Sequence, residues 1–361
     1  MALSSDAPET QTQVSVVIPT YNSAPWLPST LEALELALTQ TSWEAEVVIV
    51  DDGSTDNSID ILTEIQTRFS YPIKIIAQSN QGRFLARWAG AQAARYPNML
   101  LLDSRILMGE HSLKHIELSG ISSGTSGLRA WNGHSITDPQ ANLVGHFWEV
   151  PTYVFWGSYL SHPQPTVITA ENFNKVPKGT TFFMCPTALF IEASQANWPE
   201  ENANLTNDDT KIIRHIVTPA EVLIDPGFWA LYRPRTNTKA FVKHTYARGT
   251  TFVDGFAGIS VATNTAILLA ALAPVLALII VVWLLISSQL VVLLSLLALA
   301  LLALSLPAVI AAVHRCPGKG IRSYFVYALI FAVPYWAGII RGTRLHGRAL
   351  FHTKRKMTSA A

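Results

Sequence analysis

Glu46-Val47-Val48-Ile49-Val50-Asp51-Asp52-Gly53-Ser54 is the stretch from which the chain is best read. Its four consecutive β-branched residues, Val47 to Val50, predict a strand covered on both faces, the pattern of parallel sheets. Two acids and a Gly-Ser turn close it, and Thr55-Asp56-Asn57-Ser58 is suited to cap a following helix. In open α/β sheets, ligands bind outside the carboxyl ends of the strands. Asp51 and Asp52 would therefore stand where hydroxyls, base edges or a metal arrive. A plain turn is the competing reading, because the same residues are favoured in turns.

The flanking sequence repeats the pattern. Residues 14–18 predict a strand ended by Pro19-Thr20-Tyr21-Asn22, and residues 26–38 have helical spacing. Residues 58–69 place Ile59, Leu62, Ile65 and Phe69 on one helix face. Strand 73–76 leads into Asn80-Gln81-Gly82-Arg83 and a helix through Ala94, and strand 99–102 ends at Asp103-Ser104-Arg105. The alternation βαβαβαβ implies an α/β fold, a mostly parallel sheet with helices on both faces. Beyond it, residues 119–127 are a Gly/Ser-rich excursion, and 143–150, 167–170 and 222–224 are candidate strands. Asn207-Asp208-Asp209-Thr210 is a helix start with Ile212, Ile213 and Ile216 on the apolar face.

Only 14% of the 361 residues are charged, well below the usual ~25% of globular proteins. The net charge of +1 conceals a split. Residues 256–361 hold nine Lys or Arg and no acid, whereas residues 1–255 hold 17 basic and 25 acidic side chains. This layout fits a membrane-anchored protein and argues against nucleic-acid binding. Residues 256–313 are 58 positions without a charge, enough for two spans at about 20 residues each. The apolar run 324–340 is expected to lie in the interface or re-enter, since a third span would put the terminal basic residues opposite the Arg315–Arg322 loop. The division expected is a disordered 1–13, a globular 14–255, two transmembrane helices in 256–313 and a basic interfacial segment and tail, 314–361. Cys185 and Cys316 form no zinc spacing or disulfide framework, and residues 1–13 lack a signal-peptide pattern. A multi-pass cell-membrane protein with its globular domain in the cytoplasm is the expectation.

Several short motifs, in their order and spacing, resemble family 2 glycosyltransferases of the GT-A fold. They are Val16-Val17-Ile18-Pro19-Thr20-Tyr21-Asn22, Val50-Asp51-Asp52-Gly53-Ser54, Asn80-x-Gly82-x-x-x-Ala86-Arg87, Leu101-Leu102-Asp103-Ser104-Arg105 and Asn207-Asp208-Asp209. The resemblance covers residues 14–105 closely and 179–252 loosely. It implies that Pro19, Tyr21 and Asp52 meet the base and ribose of a nucleotide-sugar, and that Asp103 belongs to an Asp-x-Asp pattern holding Mn²⁺ or Mg²⁺ against the diphosphate. Arg83 and Arg87, at a helix start that already favours anions, would neutralise that diphosphate. A solvated helix face is the other reading for both.

Asp208-Asp209 stands where the family has Glu-Asp, which implies Asp209 as general base beside Asp208; a helix cap is the alternative. In the Asp-x-Asp pattern the third position is Arg105. A guanidinium cannot ligate a metal but suits phosphate, so either Asp103 alone holds the ion or Arg105 takes over part of its role. Thr245-Tyr246-Ala247-Arg248-Gly249 lacks the Gln-x-x-Arg-Trp of processive members, which implies transfer of one sugar per encounter. Trp156 and Trp198 are candidates for sugar stacking or for ordinary packing.

The expected activity is inverting transfer from a nucleotide-sugar to a lipid-linked saccharide or other lipid-borne hydroxyl, in cell-envelope polysaccharide or glycolipid synthesis. A polyprenyl-phosphate sugar synthase and a non-catalytic nucleotide-sugar-binding protein are the alternatives.

Overall fold

A computed structural model describes residues 11–120, 128–199 and 209–351. Most of the N-terminal 1–13, the heart of the 119–127 excursion, Asn207, Asp208 and the tail from 352 lie outside the described residues.

The βα repeat forms as β1 (Gln13–Thr20), α1 (Leu27–Thr39), β2 (Glu44–Asp51), α2 (Ser58–Gln66), β3 (Ile73–Ala77), α3 (Arg83–Ala93) and β4 (Asn98–Leu102). Strands β3, β2, β1 and β4 lie side by side and parallel. Val47 to Val50 have no solvent exposure, because opposite faces of β2 enter two different cores. Val47 and Ile49 pack with α1 and α2 through Leu31, Leu34 and Leu62. Val48 and Val50 pack with α3 and with later helices. Helices therefore cover both faces.

The remaining strands are β5 (Ile106–Met108), β6 (Arg129–Thr137), β7 (Thr166–Ile168), β8 (Phe182–Pro186) and β9 (Glu221–Tyr232). They continue the sheet in the order β4-β8-β6-β9-β5, with β8 antiparallel to β4 and to β6. Two expectations change here. The 222–224 segment is part of the twelve-residue β9, which carries the chain to Tyr232 and the polar end of the sheet. The 143–150 segment is not a strand: residues Leu143–His146 form a 3-10 turn and α5 (Glu149–Leu160) follows. Its apolar side chains are spent on helix contacts, with Val144, Phe147 and Val150 packed against Ala308, Ala311 and Tyr324 of the C-terminal helices.

Helices α4 (Ser112–Ser119), α6 (Thr187–Ala196) and α7 (Thr210–Ile216) complete the globular region, and α8 (Thr238–Phe256) leads out of it. Then come α9 (Val261–Ile286), α10 (Leu290–Val313), α11 (Gly318–Leu345) and the short α12 (Gly347–Phe351). Helices α9, α10 and α11 are each long and apolar enough to cross a membrane. The apolar run 324–340, expected to lie in the interface or re-enter, falls within the single continuous helix α11, the least apolar of the three. One side of α11 is committed to the globular region. Gly249 of α8 and Gly338 of α11 meet so closely that a Cβ on either would come within 2.2 Å of a carbonyl oxygen of the other helix.

Candidate active site

A cavity of about 950 Å³ opens at the carboxyl ends of the parallel strands. Pro19, Tyr21, Asp52, Arg83, Asp103, Arg105 and Asp209 all line it. Residues from five separate segments of the sequence thus converge on one space.

The first two turns are stitched together before any ligand arrives. Asn22, at φ 48°, accepts from Thr55 N–H through Oδ1 at 2.7 Å, and its own N–H donates to Ser54 Oγ at 2.8 Å. Gly53 has φ 75°, and a Cβ there would lie 2.8 Å from Asn80 N; the turn requires glycine. Asp52 is 4% exposed. Its Oδ1 accepts from Gln78 Nε2 at 2.7 Å and Gln81 N–H at 2.8 Å, and its Oδ2 from Gly82 N–H at 2.8 Å. Much of its accepting capacity therefore fixes the loop that starts α3, and only what remains faces a ligand.

Arg87 does not stand on a solvated helix face, nor does it line the cavity. It is 1% exposed and lies behind the acids. Its Nη2 donates to Asp103 Oδ1 at 2.7 Å, its Nη1 to Thr180 Oγ1 at 2.6 Å, and Nη1 is 3.5 Å from Asp209 Oδ1. One buried guanidinium ties the two carboxylates into a single unit.

Asp209 occupies the N-cap position of α7, but its side chain makes no capping bond. It turns across to Thr180, whose N–H donates to Oδ1 at 3.1 Å and whose hydroxyl donates to the same oxygen. The capping alternative therefore does not describe this carboxylate, which is 26% exposed. Lys178, just before Thr180, has its ammonium pushed down to about 8 by burial and by Arg214.

The cavity is also lined by cations: Arg83, at the first turn of α3, and Arg105, Arg235 and Arg248. Arg105 stacks 4.6 Å over Trp26, and its Nη1 donates to Pro234 O at 3.2 Å. Burial, and then repulsion from Arg235, lowers it to about 10, so it stays charged at neutral pH. Arg248 lies 5.6 Å over Trp148. His244 lies among these groups and is held neutral by burial and by Arg235, Arg248, Arg83 and Arg105. Among the described residues Arg105, Arg235 and Arg248 form no ion pair with a carboxylate. Three like charges in one cavity, none in direct contact with a carboxylate, repel one another at a cost in free energy that a bound polyanion would return.

Sequence reading did not reach Arg235, His244 or Lys178. Arg235 follows a strand read as three residues long. His244 and Arg248 are spaced i, i+4 on α8, a helical signal; the sequence singles out Arg248 as a candidate phosphate contact and gives His244 no role. Trp156 lines the cavity, whereas Trp198 packs edge-on against Phe84 and Trp88.

Among the described residues no group of three or more His, Cys, Asp or Glu gathers as a metal site. Asp103 offers a carboxylate that is 19% exposed. A divalent ion would fit there only by drawing further oxygens from a bound diphosphate, a mode in which Mg²⁺ is often held.

Residues 15–105 match the family described as Glycosyl transferase family 2. The chain is 41% identical over 137 residues to an uncharacterized glycosyltransferase of Nostoc sp., covering 37% of this chain and 42% of that protein. It is 39% identical over 92 residues to an undecaprenyl-phosphate 4-deoxy-4-formamido-L-arabinose transferase of Pseudomonas fluorescens, covering 25% of this chain and 27% of that one. The chain thus spans less than half the length of these relatives. Among solved structures, a Pyrobaculum calidifontis mannosyltransferase in complex with GDP-Man and Mn²⁺ superimposes with TM-score 0.49 at 15% identity, covering 93% of this chain and 88% of that one. TarS 1–349 of S. aureus in complex with UDP gives 0.43 at 17%, covering 67% and 66%.

Proposed function

We propose, from the match of residues 15–105 to the family described as Glycosyl transferase family 2 and from the site beside it, that this protein is a membrane-anchored inverting glycosyltransferase. It moves one sugar from a nucleotide-sugar to a lipid-borne hydroxyl, such as that of a lipid-linked saccharide. The observation that carries the reading is the joining of Asp103 and Asp209 through Arg87 beneath a cation-lined cavity. The apolar helices that follow directly support an acceptor held in the membrane, and the basic residues of 315–322 support a cytoplasmic globular domain.

In this reading the base rests near Pro19, Tyr21 and the free capacity of Asp52. The diphosphate faces Arg83, Arg105, Arg235 and Arg248. Asp209 accepts the proton of the acceptor hydroxyl as that oxygen attacks the anomeric carbon. The bond to the nucleoside diphosphate breaks on the opposite face, so the configuration inverts. Arg87 and Thr180 hold Asp209 Oδ1 and so fix the direction of the carboxylate. The guanidiniums receive the charge that develops on the leaving group, a contribution of the oxyanion-stabilising kind. A Mn²⁺ or Mg²⁺ ion shared by Asp103 and the diphosphate would screen the same charge. Asp208 belongs to the proposal as the neighbour of the base.

Membranes carrying the protein, incubated with a panel of labelled nucleotide-sugars and extracted for lipid, report donor and acceptor class together. Asp209→Asn is expected to keep donor binding and to lose about 10²–10⁴ of turnover. Unimpaired transfer would remove Asp209 from the mechanism. It would favour polyprenyl phosphate as acceptor, which needs little deprotonation and is the acceptor in the names of several relatives.

A further inference from the structure

A second, smaller cavity of about 320 Å³ lies on the far side of α8 from the active site. It is lined by Tyr246 of α8 and by Trp336, Ala337, Ile340, Arg341 and Arg344 of α11. Its shape is fixed by the helix crossing beside it: Gly249 and Gly338 pack backbone to backbone, and a Cβ on Gly342 would come within 2.8 Å of Val253.

Three features give it a chemistry. Arg341 and Arg344, three residues apart on one helix, share a face, and among the described residues neither forms an ion pair. No acid occurs anywhere after Asp254 to serve as one by sequence proximity. Arg341 lies 5.5 Å over the Tyr246 ring, a contact that leaves its hydrogen-bonding fork unspent. Trp336 Nε1 donates to Ala271 O at 2.9 Å, next to Pro274 of α9. The cavity therefore adjoins an apolar helix long enough to span a bilayer, with a Trp and a Tyr of the kind that settle at its interface.

We propose that this cavity binds the phosphate group of an anionic membrane phospholipid. The two guanidiniums would take the phosphate oxygens, Tyr246 and Trp336 the adjoining headgroup, and the acyl chains would run along α9. The inference is independent of the sugar-transfer reading, because its ligand, its residues and its readout are all outside the active-site cavity.

The full-length protein in nanodiscs, with lipid retention measured by native mass spectrometry, tests it. From mixed phosphatidylglycerol and phosphatidylcholine, the wild type is expected to retain the anionic lipid. Arg341→Gln with Arg344→Gln should weaken retention by about tenfold or more, the usual loss when a charge-assisted hydrogen bond is removed. Arg315→Gln with Arg322→Gln removes the same charge elsewhere and should change it less than twofold. Equal losses in the two double variants would overturn the site in favour of general surface charge. So would full retention by Arg341→Lys with Arg344→Lys, which keeps charge but not the planar fork. Glycerophosphate added in solution should not displace the lipid; displacement at equal concentration would mean that the cavity takes free phosphate and not a lipid.

Discussion

Replacing Arg87 by Met tests the architecture of the site most directly. The side chain is 1% exposed and makes a 2.7 Å ion pair with Asp103, a 2.6 Å bond to Thr180 and a 3.5 Å contact with Asp209. Methionine of similar length fills the space but leaves two carboxylates facing one another without their shared cation. Removing one partner of a buried pair typically costs about 3–5 kcal/mol. Both acids retain some exposure, 19% and 26%, which places the expected loss near the lower figure, about 3 kcal/mol. For a domain of this size each kcal/mol lowers Tm by about 2–4 °C, so thermal melting of the purified protein should fall by roughly 6–12 °C. Arg87→Lys should recover only part, because an ammonium cannot span Asp103 and Thr180 at once. If Arg87→Met melted within a degree or two of wild type, the carboxylates would have other support and the account of a shared buried cation would be wrong.

Two further outcomes follow from other parts of the structure. Arg105→Ala or Arg235→Ala should weaken binding of nucleoside diphosphates by about ten- to a hundredfold each, the usual cost of a charge-assisted hydrogen bond; calorimetry with UDP and GDP measures this, and unchanged affinity would exclude the cationic lining from donor binding. Gly249→Ala places a methyl 2.2 Å from Tyr335 O and should cost about 1–3 kcal/mol by overpacking, whereas Gly179→Ala, with nothing within 4 Å, should melt like wild type.

The βαβ repeat was legible because its signals are local. Val47 to Val50 can be recognised from four adjacent residues, and the Asp52-Gly53 turn announces itself by composition. The convergence of Asp52, Asp103 and Asp209 could be expected from motif order, but the part played by Arg87 could not. Nothing in Ala86-Arg87-Trp88 distinguishes a helix residue aimed at solvent from one aimed beneath a sheet edge; that depends on Thr180 and Asp209, about a hundred residues away. The 143–150 segment failed for a related reason. Leu-Val-Gly-His-Phe-Trp-Glu-Val suits a strand by propensity, and tertiary packing of Phe147 and Val150 on α10 and α11 made it a turn and a helix instead. Arg235 was missed because strand ends depend on pairing partners, and the C-terminal end of β9 is held between β5 and β6.

The wall that separates the active-site cavity from the C-terminal helices turns on one buried carboxyl. Glu149 lines the cavity at the start of α5, and its Oε1 is 2.8 Å from His146 Nδ1. His146 Nε2 is 3.1 Å from Ala141 O; a carbonyl only accepts, so Nε2 carries a proton, and the Nδ1–Oε1 contact holds one proton between imidazole and carboxyl. Lys319 Nζ, at the start of α11, donates to Ala141 O and to Pro139 O. Gly320 packs so closely that a Cβ would lie 2.3 Å from Glu149 Oε2. The pair thus joins the cavity wall to the first turn of α11. Burial raises the Glu149 carboxyl above its usual range, against the pull of His146. With the folded value above the unfolded one, the contribution of this group to stability is complete below the unfolded pKa and declines as pH rises through the folded one. Glu149→Gln keeps shape and can donate to a bare Nδ1 without burying charge. It should therefore melt like wild type near pH 5 and above wild type at pH 8.5, while Glu149→Ala, which strands His146, should melt lower at both. A Gln variant less stable than wild type at pH 8.5 would mean that the carboxylate, and not the shared proton, holds the wall to α11.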